Sequence, residues 1–169
     1  MHVGPDVHSY VRDLEKHLQL TLFGGGTADP EGAVLLVRGA LAGGDQARAV
    51  ALAQKTQRLA LITPGDPDMA AAADHARGLI DRDPAALQQV ARSYAAARGR
   101  ARALEDAGNA SAQQGDQGQA TTLLRQAYAL HEELGDDDDL ARVRSSLRAA
   151  GTRLRHWTHA DGRPSAGTA

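Results

Sequence analysis

The 169-residue chain contains no cysteine. A disulfide framework, a thiolate metal cluster and a thiol nucleophile are therefore excluded. Aromatic residues are almost as scarce: Phe23 and Trp157 stand beside three tyrosines. A core of large rings cannot be built from these, and the chain lacks the aromatic platforms on which single-stranded nucleic acid stacks. Lysine occurs only at Lys16 and Lys55, so arginine carries nearly all the positive charge. The formal net charge is −2, which exerts no overall pull toward nucleic acid or an anionic membrane. No run approaches the roughly 18 apolar residues of a membrane span. Met1–Val11 has no apolar segment of the kind that signals secretion, and it carries Asp6. These absences lead to the expectation of a cytoplasmic protein of one ordinary domain, with neither membrane nor nucleic-acid contact.

What is present is alanine, leucine and valine at helical spacing. Val7, Val11, Leu14 and Leu18 predict a first helix over Pro5–Leu20, with Pro5 in its first turn. The glycine-rich stretch from Phe23 to Pro30 reads as a linker. Further helices are expected over 31–42, 46–61, 68–80 and 84–97, the last broken by Gly99. A pair flanks Gly115-Asp116, and an eighth helix runs from Asp139 to about His156 with Leu140, Val143, Leu147, Ala150 and Leu154 as its apolar stripe. The tail 158–169, rich in Gly, Pro and Ser, reads as disordered. The division is thus an N-terminal helix with linker over 1–29, a helical domain over 30–157 and the tail.

The segment around Gly115 resembles one helix–turn–helix repeat, with small residues (Ala107, Gly108, Ala120) where two helices approach closely. The turn recurs at Gly44-Asp45 and Asp81-Arg82, and the second-helix alanine recurs at Ala49, Ala86 and Ala120. That is close to the 34-residue tetratricopeptide period. In this register Asp74 stands where the last unit has Gly108. The expected fold is all-α, a tetratricopeptide-like array of about eight helices, closed by the eighth with its arginine-rich face outward in solvent.

Candidate chemistry is thin. Gly24-Gly25-Gly26-Thr27 lacks the lysine and the preceding strand of a phosphate loop. Asp136–Asp139 lacks the alternating ligands of a calcium loop and reads instead as the acidic start of a helix, where carboxylates cap free N–H groups and meet the positive end of the dipole. The histidines do not cluster in sequence, and His75 and His131 are expected to be partly exposed, so no metal or other cofactor is assigned. No nucleophile–base trio stands out, and no catalytic residue is expected. The first helix of each pair lines the inner surface of such an array, which places Arg38, His75, Glu105 and Asn109 on a concave face. Those four are the candidate binding residues, for a protein or peptide partner or a small-molecule effector.

From about Ala76 to Thr168 the segments ARGLIDRDPAALQQVARSYAAAR, ARALEDAGNASAQQGD, LRQAYALHEELG, DLARVRSSLRAAGTR and GRPSAG occur in order. In this the chain resembles the C-terminal helical region of the large ATP-binding LuxR-type transcriptional regulators of actinobacteria. The resemblance implies a non-catalytic module that senses a signal or couples a partner to a DNA-binding head. The chain has no Walker motif, and it stops where that head is expected, so the family's nucleotide and DNA sites have no positions here. The reading is therefore either a fragment of such a regulator or a stand-alone relative. Alternatives are a free-standing small-molecule-binding domain and an oligomerisation module, the latter forming a homodimer through an apolar end of the stack.

Overall fold

A computed structural model describes residues 29–151. These residues form seven helices and no strand. The helices are α1 (Pro30–Ala42), α2 (Gln46–Ile62), α3 (Pro67–Asp81), α4 (Pro84–Ser93), α5 (Ala97–Gln113), α6 (Gln117–Leu134) and α7 (Asp137–Ala149). The first helix expected from sequence, Pro5–Leu20, lies outside the described residues, as do most of its linker, Leu154–His156 and the tail.

One junction chemistry recurs along the chain. Gly44, Arg82, Gly115 and Gly135 each take a left-handed backbone conformation at the end of a helix, and an aspartate follows each of them. The N–H of that aspartate donates back to the carbonyl of Ala40, Gly78, Ser111 or His131 respectively. This is the Schellman closure that satisfies carbonyls orphaned at a helix end. The side chains of Asp45, Asp83 and Asp116 then cap the next helix by accepting from Arg48 N, from Ala85 and Ala86 N, and from Gln119 N. Junctions this short fold each pair back into an antiparallel hairpin.

The middle junction corrects the repeat register. Its left-handed residue is Arg82 (φ 51°), one position later than the turn read from sequence. A search for glycines misses it, because an arginine holds the conformation that favours glycine. The equivalent of Ala49 and Ala120 is therefore Leu87, buried, and not Ala86, which is only half-buried. The equivalent of Gly108 is His75 rather than the exposed Asp74. The large residue at Leu87 is accommodated by a glycine opposite: a Cβ on Gly78 would lie 2.8 Å from Leu87 Cδ2. In the α5–α6 hairpin a glycine on the first helix again meets a leucine on the second, one turn further along. A Cβ on Gly108 would lie 2.7 Å from Leu124 Cγ and 3.2 Å from the Ala120 carbonyl.

Gly99 does not break a helix. α4 ends at Ser93, Tyr94 and Ala96 take extended dihedrals about a bend, and Gly99 sits inside α5 beneath the Tyr94 ring, with space for no Cβ. Asp68, on α3, fixes this connection by accepting from the backbone N–H of Ala95 (2.7 Å) and Ala96 (3.3 Å).

The apolar core has two parts. Leu36, Val37, Ala40, Ala49, Leu52 and Ala76 join α1–α3, and a larger set from Ala71 to Leu147 joins α3–α7. Leu79 packs against both and makes them continuous. The core is alanine-rich, so helices approach closely, and at such contacts an added side chain has nowhere to go. Ala120→Leu and Gly108→Ala are each expected to overpack the α5–α6 contact and to cost roughly 1–3 kcal/mol. Urea unfolding checks this, and unchanged midpoints in both variants would mean that the two helices do not meet here.

Candidate functional site

α5 carries two adjacent acidic residues, Glu105 and Asp106, in a run otherwise made of alanine, leucine and glycine. Neighbouring residues on a helix point about 100° apart, so the two carboxylates take different hydrogen-bond partners, although Arg38 Nη2 also stands 3.8 Å from Glu105 Oε2. Both lie inside the protein, Glu105 at 2 % exposure. A carboxylate so placed must be paired and hydrogen-bonded.

Asp106 is paired with α1 and α3. Its Oδ2 accepts from Arg38 Nε at 2.7 Å and lies 2.6 Å from Arg38 Nη2, which also donates to the Arg102 carbonyl at 2.9 Å. The same oxygen is 2.8 Å from His75 Nε2. Burial alone would raise the Asp106 pKa, but the charge of Arg38 and the bond from His75 overcome this and hold it below the ordinary 3.8. An ionised carboxylate only accepts, so His75 Nε2 carries the proton. His75 Nδ1 then accepts from the Tyr94 hydroxyl at 3.0 Å. Burial pushes the Tyr94 pKa up, so that hydroxyl stays protonated and able to donate. The imidazole edge meets the tyrosine ring at 75°.

Glu105 is paired with α7. It accepts from Arg142 Nε at 2.9 Å and Nη2 at 2.7 Å, a two-point guanidinium contact. Arg142 also holds Asp139 in the first turn of α7. Arg102 completes the chain, donating to Glu31 of α1 at 3.1 Å and to Asp139 at 3.3 Å.

Three of the four concave-face candidates, Arg38, His75 and Glu105, thus come together, but as members of a buried polar network. His75 is 1 % exposed and His131 is fully buried, against the expectation that both are partly exposed. Sequence spacing could not reveal this, because their burial comes from helices distant in the chain. The outward-facing reading of α7 also needs correction. Arg144 and Arg148 are exposed, Arg144 lying over the Tyr128 ring, but Arg142 turns inward to Glu105. Asp136 occupies the N-cap position without capping, and its carboxylate takes Arg98 Nε at 2.7 Å. Asp106, Arg102 and Tyr94 were not singled out from sequence. An acidic pair within an apolar helix face was the one signal available.

Asn109, the fourth candidate, lines a cleft of about 590 Å³ beside the network. Arg38 and Asp106 form its inner edge, Leu41, Leu79 and Leu87 an apolar part, and Asn109 and Gln113 add carboxamides from successive turns of α5. Arg82, at the left-handed junction, forms the outer rim.

Comparison with protein-family models, with curated proteins and with solved structures returns no match for this chain.

The network has a pH signature. Burial lowers the His75 pKa below its ordinary 6.5, outweighing Asp106, which acts to raise it. The unfolded chain therefore binds a proton that the folded chain resists. Stability from this group is fully present above pH 6.5 and is lost as pH falls from there toward the folded value. His131, lowered by burial as well, adds a contribution of the same sign. Urea midpoints of the native chain are expected to fall between pH 7 and pH 5. His75→Gln should flatten that fall while lowering the midpoint at pH 7.5. An equally steep fall in the variant would remove His75 as a cause.

Proposed function

We propose that the chain is a non-catalytic helical-repeat module that binds a peptide segment of a protein partner in the cleft between α1 and α5. The observation that carries this reading is the cleft's lining. An apolar part formed by Leu41, Leu79 and Leu87 suits an anchoring side chain. Asn109 and Gln113 each offer a donor and an acceptor, which matches the alternating N–H and C=O groups of a peptide backbone. The lining is evenly divided between polar and apolar residues, which suits a peptide that brings both backbone groups and an apolar side chain.

Two further features favour binding over chemistry. The chain's hydrogen-bonded relay, Asp106–His75–Tyr94, ends on a tyrosine that is 3 % exposed, so its terminal hydroxyl meets no substrate. The three hairpins with repeated left-handed–Asp junctions follow one another as tetratricopeptide-like units do, and such stacks act by surface recognition. The sequence resemblance to the helical region of LuxR-type regulators supports a setting within a transcriptional regulator, where the bound segment couples signal or partner to a DNA-binding head.

Selection of a random peptide display library on the full chain tests the proposal. Enriched peptides should share an apolar anchor. Their affinity should drop at least about tenfold in Asn109→Trp, as when an interface hot spot is blocked, with no change in Tm. Absence of enrichment, or binding indifferent to Asn109→Trp, overturns it.

A second reading, self-association, is favoured by Leu61 and Ile62, both 74 % exposed at the end of α2. Adjacent exposed large aliphatics mark contact surfaces when they form a patch. Sedimentation should then show a concentration-dependent dimer that Leu61→Glu abolishes. A monomer at high concentration removes this reading.

A further inference from the structure

The α6–α7 junction departs from the other three in two linked ways. The residue that accepts the Schellman bond is small elsewhere (Ala40, Gly78, Ser111), and here it is His131. The following aspartate caps the next helix elsewhere, and here Asp136 leaves the N-cap unfilled. His131 is fully buried, and neither of its ring nitrogens has a hydrogen-bond partner. A buried imidazole without partners is costly in a folded core. Its Nδ1 lies 3.5 Å from Asp139 Oδ2, too far for a hydrogen bond. One ligand atom from each of His131, Asp136 and Asp139 lies within 4.8 Å of the others.

We propose that His131, Asp136 and Asp139 bind one divalent transition-metal cation, which bridges the end of α6 to the start of α7. One imidazole and two carboxylates are a donor set suited to zinc and its neighbours, with water completing the coordination. Ligands about 2.0–2.1 Å from such an ion sit about 3.3 Å apart in a tetrahedron. The three atoms must therefore draw in by about 1.5 Å at most, and rotation of the half-buried Asp136 supplies much of this. The neighbouring arginines are compatible with the ion because a carboxylate has several lone pairs. Arg98 holds Asp136 through Oδ2, and Arg142 holds Asp139 through Oδ1. Arg102 reaches Asp139 Oδ2 at 3.3 Å, so an ion would share that oxygen with a guanidinium. They fix the ligands as outer-shell groups do. Their charge, with that of Arg102, opposes a cation and sets the affinity below that of an arginine-free site. Glu105 offsets part of it.

Zinc chloride titrated into the full chain, followed by calorimetry and thermal unfolding, tests the site. The expected result is one equivalent of zinc bound with a rise in Tm, since a ligand selective for the folded state stabilises it. His131→Phe keeps the buried volume and should abolish binding. Asp136→Asn removes a half-exposed ligand, leaves the apo fold in place, and should weaken binding at least about tenfold. The second variant decides alone if the first fails to fold. Absence of zinc uptake by the native chain overturns the proposal. So does uptake that persists undiminished in Asp136→Asn, which would assign it to the histidines outside the described residues.

Discussion

Two carboxylates side by side on a buried helix face dictate where the other helices stand. Glu105 and Asp106 cannot lose their water without polar partners, and Arg38, which is near both, hydrogen-bonds of the two only Asp106 and stands 3.8 Å from Glu105. α1 therefore brings Arg38 and α3 brings His75 to Asp106, while α7 brings Arg142 to Glu105. Each of the two arginines would be as costly alone as the carboxylates are. Apolar contacts drive the hairpins together, but alanine and leucine pack tolerably in several registers. The charged groups do not, because any shift leaves one of them buried and unpaired. Buried ion pairs contribute little net stability compared with apolar replacements. Here they select which helix meets which.

The same contrast explains what could be read from the sequence. The helices were legible because apolar spacing and the proline and glycine stops act locally. The 31–42 and 46–61 helices match α1 and α2 within a residue of each end. Ala120 and Gly108 were legible as a close approach because both are small and lie within one hairpin. The middle hairpin was misaligned by one residue because Arg82 adopts a glycine-like conformation. The end of α4 was misplaced because the Tyr94–Ala96 segment is held by Asp68, a residue on another helix. Of the candidate site, the sequence places Arg38, His75, Glu105 and Asn109 on a concave face, whereas His75 and Glu105 are buried in the network. Their partners were not legible, since pairing across α1, α3, α5 and α7 depends on the stacking of whole hairpins.

The glycine–leucine contact falls at different places in the two hairpins. In α5–α6 the leucine opposite Gly108 is Leu124, which is fully buried. In α3–α4 the leucine sits on α4, opposite Gly78, and its side chain also lines the cleft. The residue that fills the hairpin contact is thus one that a bound segment would touch. A difference between two hairpins thus reaches the lining of the cleft.

The link from Arg38 to Asp106 joins residues 68 positions apart. In an open stack each unit touches only the next, so an end can fray while the rest stays folded, and stability adds up unit by unit. Here the first helix is clamped to the fifth, and Glu31 to Arg102 doubles the clamp. Peeling α1 away strands a guanidinium's carboxylate in the interior, so the end unit cannot open without penalising the centre. Opening of α1 is thereby coupled to the polar centre of α5, so the two helices are tied in stability although they lie far apart in the chain.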